Sequence, residues 1–145
     1  MLLMQTPPPT NIVTWQKLEE LVRSLHLQID HQGYECIVGI NRGGSIPAIM
    51  LSHRLGIPCE ILSWQTRDGI NKDIAKLNEL TSNNAQILVV DDLVDTGLTV
   101  NQIKELAPKV DIAVLLAKTD IPAIDYVGEC CYNDDRWIVF PWEQY

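Results

Sequence analysis

Apolar positions follow two periods along this chain, and the changes between them mark its elements. After Thr14, which is placed to cap a helix, Leu18, Leu21, Val22 and Leu25 recur at helical spacing and predict an amphipathic helix ending near Gln32-Gly33. Cys36 to Ile40 is a short, unbroken apolar run with β-branched residues. It predicts a buried strand running through Asn41-Arg42-Gly43-Gly44 into a helical segment from Ile46 to Leu55. Cys59 to Ser63 predicts another strand. Trp64 to Asn84 is polar, with Ile74, Leu77 and Leu80 spaced for one short helix, and a connection of this length is commonly a functional loop. Gln86 to Val90 is the clearest buried strand, followed by an acidic turn and a helix carrying Val100, Ile103 and Leu106 up to Pro108. Asp111 to Ala117 is another apolar strand. The tail from Asp120 to Tyr145 reads as irregular, with one apolar run, Trp137 to Phe140.

Strands that are apolar without alternation need cover on both faces, and strands that alternate with helices belong to parallel sheets. The expected class is therefore α/β, with a mainly parallel central sheet flanked by helices. A chain of 145 residues suits one domain, residues 1–145, with residues 1–10 as a loose tail. That tail has no basic residue ahead of its apolar start and then meets three prolines, unlike a secretory signal. No apolar run approaches the ~18 residues of a membrane span.

Eleven basic against nineteen acidic side chains give a net charge of −8, which opposes nucleic acid and requires any phosphate site to be local. Cys36, Cys59, Cys130 and Cys131 lack Cys-x-x-Cys spacing and a nearby His pair, which points away from zinc or a redox pair. Buried, reduced thiols in a cytoplasmic protein are expected.

The densest chemistry lies in Val89 to Thr99. Asp91 and Asp92 end a buried strand, and Asp95 opens a Thr96-Gly97-Leu98-Thr99 turn into a helix. Ligands of open α/β sheets bind beyond the carboxyl ends of strands, where a helix start offers free N–H groups and a positive dipole to a phosphate. Gly97 permits close backbone approach, and the Thr96 and Thr99 hydroxyls add donors without net positive charge. The paired carboxylates suit vicinal sugar hydroxyls and a magnesium ion chelated by them. A solvated acidic turn without a ligand would crowd like charges for no return. A two-component receiver domain also clusters acids, but it needs no Thr-Gly-x-Thr turn.

Val-Val-Asp-Asp-Leu-Val-Asp-Thr-Gly-Leu-Thr, residues 89–99, resembles the signature by which type I phosphoribosyltransferases bind phosphoribosyl pyrophosphate (PRPP). Ile40-Asn41-Arg42-Gly43-Gly44 looks like the pyrophosphate loop of that family. The resemblance implies that Arg42, Gly43 and Gly44 contact pyrophosphate and that a non-proline cis peptide lies at Arg42-Gly43. It also implies that Trp64 to Gly69 belongs to a mobile loop closing over PRPP, with Arg67 as a second pyrophosphate ligand and Lys72 as a further candidate.

Leu116-Ala117-Lys118-Thr119 and Asp135-Arg136-Trp137-Ile138, together with Phe140-Pro141-Trp142-Glu143, resemble the bacterial xanthine-guanine branch. What this implies is a small C-terminal base-binding segment. Lys118 donates to a 6-oxo group, Trp137 stacks on the ring and the backbone near Ile138 reads the purine edge; stacking on an indole is worth ~1–3 kcal/mol. The resemblance runs from about Val13 to Glu143 and departs at the end, where relatives continue beyond the position of Tyr145.

The activity so implied is transfer of ribose 5-phosphate from PRPP to guanine, xanthine or hypoxanthine, with release of pyrophosphate, in purine salvage. Asp95 through Thr99 would hold the 5′-phosphate, Asp91 and Asp92 the ribose and magnesium, and Asp95 would be the catalytic base near the purine N7. A homo-oligomer, dimer or tetramer, is expected by resemblance. A non-catalytic PRPP-binding regulator is the rival from another class. The acidic balance and the absence of a basic stripe or added DNA-binding helices disfavour it. An orotate, uracil or adenine enzyme is disfavoured by Lys118 and Trp137.

Overall fold

The computed structural model describes residues 9–64 and 72–143. In chain order the elements are β1 (Thr10–Ile12), α1 (Trp15–Ile29), β2 (Cys36–Asn41), α2 (Ser45–Leu55), β3 (Cys59–Ser63), α3 (Ile74–Thr81), β4 (Ile87–Val94), α4 (Leu98–Leu106), β5 (Asp111–Ala117), β6 (Tyr126–Cys130) and β7 (Trp137–Val139). The central sheet has the order β3-β2-β4-β5-β6 and every pairing in it is parallel.

Thr14 caps α1 as its position predicts, its hydroxyl accepting from the Lys17 N–H at 3.0 Å. The helix ends at Ile29, ahead of Gln32-Gly33, and buries Leu18, Leu21, Val22, Leu25 and Ile29. Full burial of each such side chain contributes ~1.5–3 kcal/mol. With α2 this helix covers one sheet face, against Ile37, Leu88, Val90 and Leu115; Leu77 of α3 and Val100 and Ile103 of α4 join Val38, Val89, Ile112 and Val114 on the other. The continuous apolar runs of β2, β4 and β5 follow from burial on both faces.

Connections from β2 run outward to β3 in one direction, while β4, β5 and β6 extend in the other. The reversal lies between β2 and β4. The loops leaving their carboxyl ends therefore face a common crevice, the ligand position of such sheets.

Three strands depart from the sequence expectation. β6 lies in the stretch read as irregular, and β1 and β7 form a separate parallel pair, Thr10 opposite Trp137 and Ile12 opposite Val139. Thr10 therefore belongs to a strand and not to the loose tail assigned to 1–10. Its partner stands near the other end of the chain, beyond the reach of local periodicity. β6 is held by the side of α1: Gln28 Nε2 donates to Val127 O at 2.9 Å and Ser24 Oγ to Gly128 O at 3.3 Å.

The cysteines also depart from expectation. Cys36, Cys59 and Cys131 are half-buried and Cys130 is exposed, because they lie at strand ends or edges; none forms a disulfide. Burial raises the thiols of Cys36, Cys59 and Cys131.

Candidate active site

β4 continues past the predicted Val90 to Val94, carrying Asp91 and Asp92 into the sheet. Asp91 is only 9% exposed. Its Oδ1 accepts from the Asp92 N–H at 2.9 Å, and Asp92 Oδ1 accepts from the Leu93 N–H at 2.7 Å. Burial pushes the Asp91 carboxyl well above the ordinary range, with Asp92 adding to the rise; burial likewise raises Asp92. Two adjacent carboxyls that resist ionisation in the bare fold form a set of hard oxygen ligands that a divalent cation would stabilise. The residues present thus fit magnesium.

Beyond β4 the chain turns at Gly97, whose φ of +86° is readily available only to glycine, and α4 begins at Leu98 with no side-chain cap. The first N–H of α4, on Leu98, makes only a long 3.4 Å bond to Thr96 Oγ1, and a helix start leaves its next N–H groups for an incoming anion. Asp91 and residues 93–100 line a cavity of about 180 Å³ around this turn. Asp95 and Thr96 are exposed on it, Thr99 is half-buried, and Leu98 is 51% exposed. The turn is formed as the residues predicted.

Arg42, Gly43 and Gly44 join β2 to α2 alongside this strand end. A Cβ on Gly43 would overlap the Asp92 carboxylate, so the loop and the acid pair are in direct contact. Arg42 is exposed, and its carbonyl accepts from the Ser45 N–H at 3.2 Å. The cis peptide is Asn41–Arg42, one bond before the expected Arg42-Gly43. It falls where β2 ends at Asn41, ahead of the glycine pair that packs on β4.

Arg67 lies outside the described residues. Lys72 stands beside that segment and pairs with Trp64 in an antiparallel bridge. Trp64 is buried at 4% exposure and donates from Nε1 to Gln102 Oε1 of α4 at 3.1 Å.

Lys118 follows β5, and its N–H bonds Val94 O at 2.9 Å, which sets it beside the end of β4. Its ammonium donates to the carbonyl of Arg136 at 2.7 Å, immediately before Trp137. The two residues expected to meet a base are thus brought together by main chain. Trp137 is 57% exposed and available for stacking, while Ile138 is buried. Trp137 N–H donates to Pro9 O and Val139 O accepts from Val13 N–H, both toward β1. Strand alternation leaves the peptide groups of Ile138 turned the other way.

Sequence reading overlooked two groups here, Asp134 and the Arg136 carbonyl. An Asp two residues ahead of a turn N–H is a recognisable Asx signal, and Asp134 Oδ1 accepts from the Arg136 N–H at 3.1 Å. A main-chain carbonyl leaves no trace in residue type.

Comparison with known proteins agrees with this geometry. The family model described as the phosphoribosyl transferase domain matches residues 9–143. The chain is 33% identical over 144 residues to a xanthine-guanine phosphoribosyltransferase of Cereibacter sphaeroides, covering 90% of this chain and 85% of that protein. It is 34% identical over 151 residues to one of Gluconobacter oxydans, covering 96% and 89%. The crystal structure of a purine phosphoribosyltransferase from Pyrococcus horikoshii Ot3 matches with a TM-score of 0.72 at 27% identity, covering 94% of this chain and 95% of that one.

Proposed function

The chain belongs to the phosphoribosyltransferase family, and from that premise we propose that it transfers ribose 5-phosphate from PRPP to a 6-oxopurine, releasing pyrophosphate. The observation that carries the base class is the Lys118 ammonium held at 2.7 Å from the carbonyl of Arg136, the residue before the exposed Trp137. A fixed cation favours an oxo acceptor at C6 and disfavours an exocyclic amine, while the indole supplies a stacking face.

In this reading Thr96 to Thr99 anchor the 5′-phosphate through the α4 N-terminus, and Arg42 with the Gly43-Gly44 backbone holds pyrophosphate. Arg67 would be a second ligand for that group. Asp91 and Asp92 accept from the ribose hydroxyls and would hold magnesium, directly or through water. When bound, that ion would neutralise charge on the leaving pyrophosphate. Asp95, exposed on the turn, accepts or shares the purine N7 proton as the ring nitrogen attacks the anomeric carbon. Stabilisation of separated charge by groups already in place is the main catalytic contribution.

We further assign the whole chain to a single domain, acting in the cytoplasm in purine salvage as a dimer or tetramer. No helix among the described residues is long and apolar enough to cross a membrane. Gel filtration at the mass of one chain would contradict the oligomer.

The direct test is nucleotide formation with PRPP, magnesium and, in turn, guanine, xanthine, hypoxanthine, adenine, orotate and uracil. Conversion of a 6-oxopurine that Lys118→Ala abolishes supports the reading. PRPP binding without turnover of any base would favour a regulator instead.

A further inference from the structure

Residues 131–137 are tied down at both ends. Cys131 N–H donates to Ala117 O of β5 at 2.8 Å, and Trp137 N–H donates to Pro9 O at 2.9 Å. Between those anchors the chain turns, with Asn133 at a φ of +64° and the Asp134 N–H on Cys131 O at 3.2 Å. One carboxylate then gathers three donors of a single residue. Asp134 Oδ1 accepts from Arg136 N at 3.1 Å and Nε at 2.9 Å, and Asp134 Oδ2 accepts from Nη2 at 2.8 Å. The fork-on-carboxylate pairing restrains the guanidinium, while the third bond restrains the peptide leading into Arg136. Held this way, residue 136 presents its carbonyl to the Lys118 ammonium.

A surface ion pair between two freely moving side chains contributes little. This pair differs because it closes on the backbone, and because the Asp134 side chain is only 18% exposed. Lysine has among the largest rotamer freedoms of any side chain, so a base meeting an unheld Lys118 would have to order it on binding. With one of its three donors on Arg136 O, the ammonium is already positioned and two donors remain for the base.

We propose that Asp134 and Arg136 form a brace that positions Lys118 for base recognition, acting through the Arg136 carbonyl and touching neither substrate. The inference rests on the 6-oxopurine reading above. It makes the brace specific to the base half of the reaction, since the PRPP groups on β4 and α4 take no bond from it.

Steady-state kinetics of Asp134→Ala, Arg136→Ala and the double variant, with guanine and PRPP varied separately, test this. Each is expected to raise the KM for guanine about tenfold, the factor for one directed charge-assisted bond. The KM for PRPP and the melting temperature should be unchanged. The double variant should match either single one, as members of one unit do, and in a Lys118→Ala background, where guanine affinity is read by equilibrium titration instead of turnover, Asp134→Ala should add nothing. Asp134→Asn, which keeps an acceptor for Arg136 N–H, should recover part of the effect. An unchanged guanine KM, additive single effects, or an equal rise in the PRPP KM would overturn the brace. A wild-type enzyme that converts no 6-oxopurine would overturn the functional reading and the brace with it, whereas active wild type with unaffected variants removes the brace alone.

Discussion

Asp91 to Thr99 leave one strand and enter one helix without interruption, whereas Lys118, Arg136 and Trp137 meet from the end of β5, a turn, and a two-stranded sheet closed by Thr10 to Ile12. The first region owes its geometry to neighbours in sequence and to glycines packed on β4. The second owes it to main-chain bonds between distant segments: Lys118 Nζ on Arg136 O, Trp137 N–H on Pro9 O, and Cys131 N–H on Ala117 O. The proposed phosphate half thus follows from the core. The proposed base half is laid over the core and can change residues with less penalty to the fold.

Gly44→Ala against Trp137→Ala tests that contrast most severely. A Cβ on Gly44 would overlap Val90 O and sit 2.8 Å from Ile40 O, both sheet main-chain atoms with little room to move. Overpacking of this kind destabilises by about 1–3 kcal/mol, and it should also weaken pyrophosphate binding. Trp137 is 57% exposed, and truncating it should change stability by about 0.5 kcal/mol or less while raising the KM for the base. Urea unfolding and base titration separate the two. Equal destabilisation by both variants would mean that the base half is as integral to the fold as the phosphate half.

Asp91→Asn should move stability and activity in opposite directions. Folded Asp91 and Asp92 carry raised pKa values, so the folded chain holds their protons to higher pH than the unfolded chain does. Stability from this pair therefore falls as pH rises from the ordinary carboxylate range through the raised values. Removing one charge should relieve that loss and raise the melting temperature of the metal-free protein at neutral pH, by roughly 2–4 °C for each kcal/mol recovered. On the proposed function the same change should lower turnover by about tenfold or more, through loss of the charged acceptor proposed for ribose and magnesium. Calorimetry across pH reads the first effect, and a flatter pH dependence in the variant is the expected sign. A lower melting temperature in Asp91→Asn would refute the account of the acid pair.

The same division explains what could be read in advance. Val89 to Thr99 were legible because an apolar strand, three acids and a Thr-Gly-x-Thr turn each state a local requirement, and β2 and β5 were legible from apolar runs with β-branched residues. β6 was not, since Gly128 and Glu129 break its pattern and part of its hold comes from Gln28 and Ser24 of α1. β1 hid behind prolines, and its partner is near the other terminus. Lys118 and Trp137 could be singled out by residue type, but the Arg136 carbonyl that brings their segments together could not, because main chain is the same at every position. The cis bond was misplaced by one residue for a related reason: Arg42-Gly43-Gly44 marks a tight loop without marking which peptide turns.

Glu143 links the two regions and carries the smallest expected effect. Its Oε1 accepts from the Phe140 N–H at 3.1 Å and its own N–H returns to Phe140 O at 2.9 Å, closing the turn in which Phe140 and Trp142 stack at 4.8 Å. The same carboxylate adds a negative potential at Asp92, the last of the influences on that group after burial and its hydrogen bonds. Glu143→Gln keeps an oxygen for Phe140 N–H, so the turn should persist, and removes the charge. Asp92 should then ionise at slightly lower pH, because one repulsion that favoured its protonated form is gone. If ionised Asp92 is needed for PRPP binding, the acid limb of kcat/KM for PRPP should move to lower pH, with little change on the alkaline side. A pH profile measured for PRPP and for base separately decides the matter. Movement of the base profile alone would place Glu143 in the base half only, and the electrostatic link between the two regions would be withdrawn.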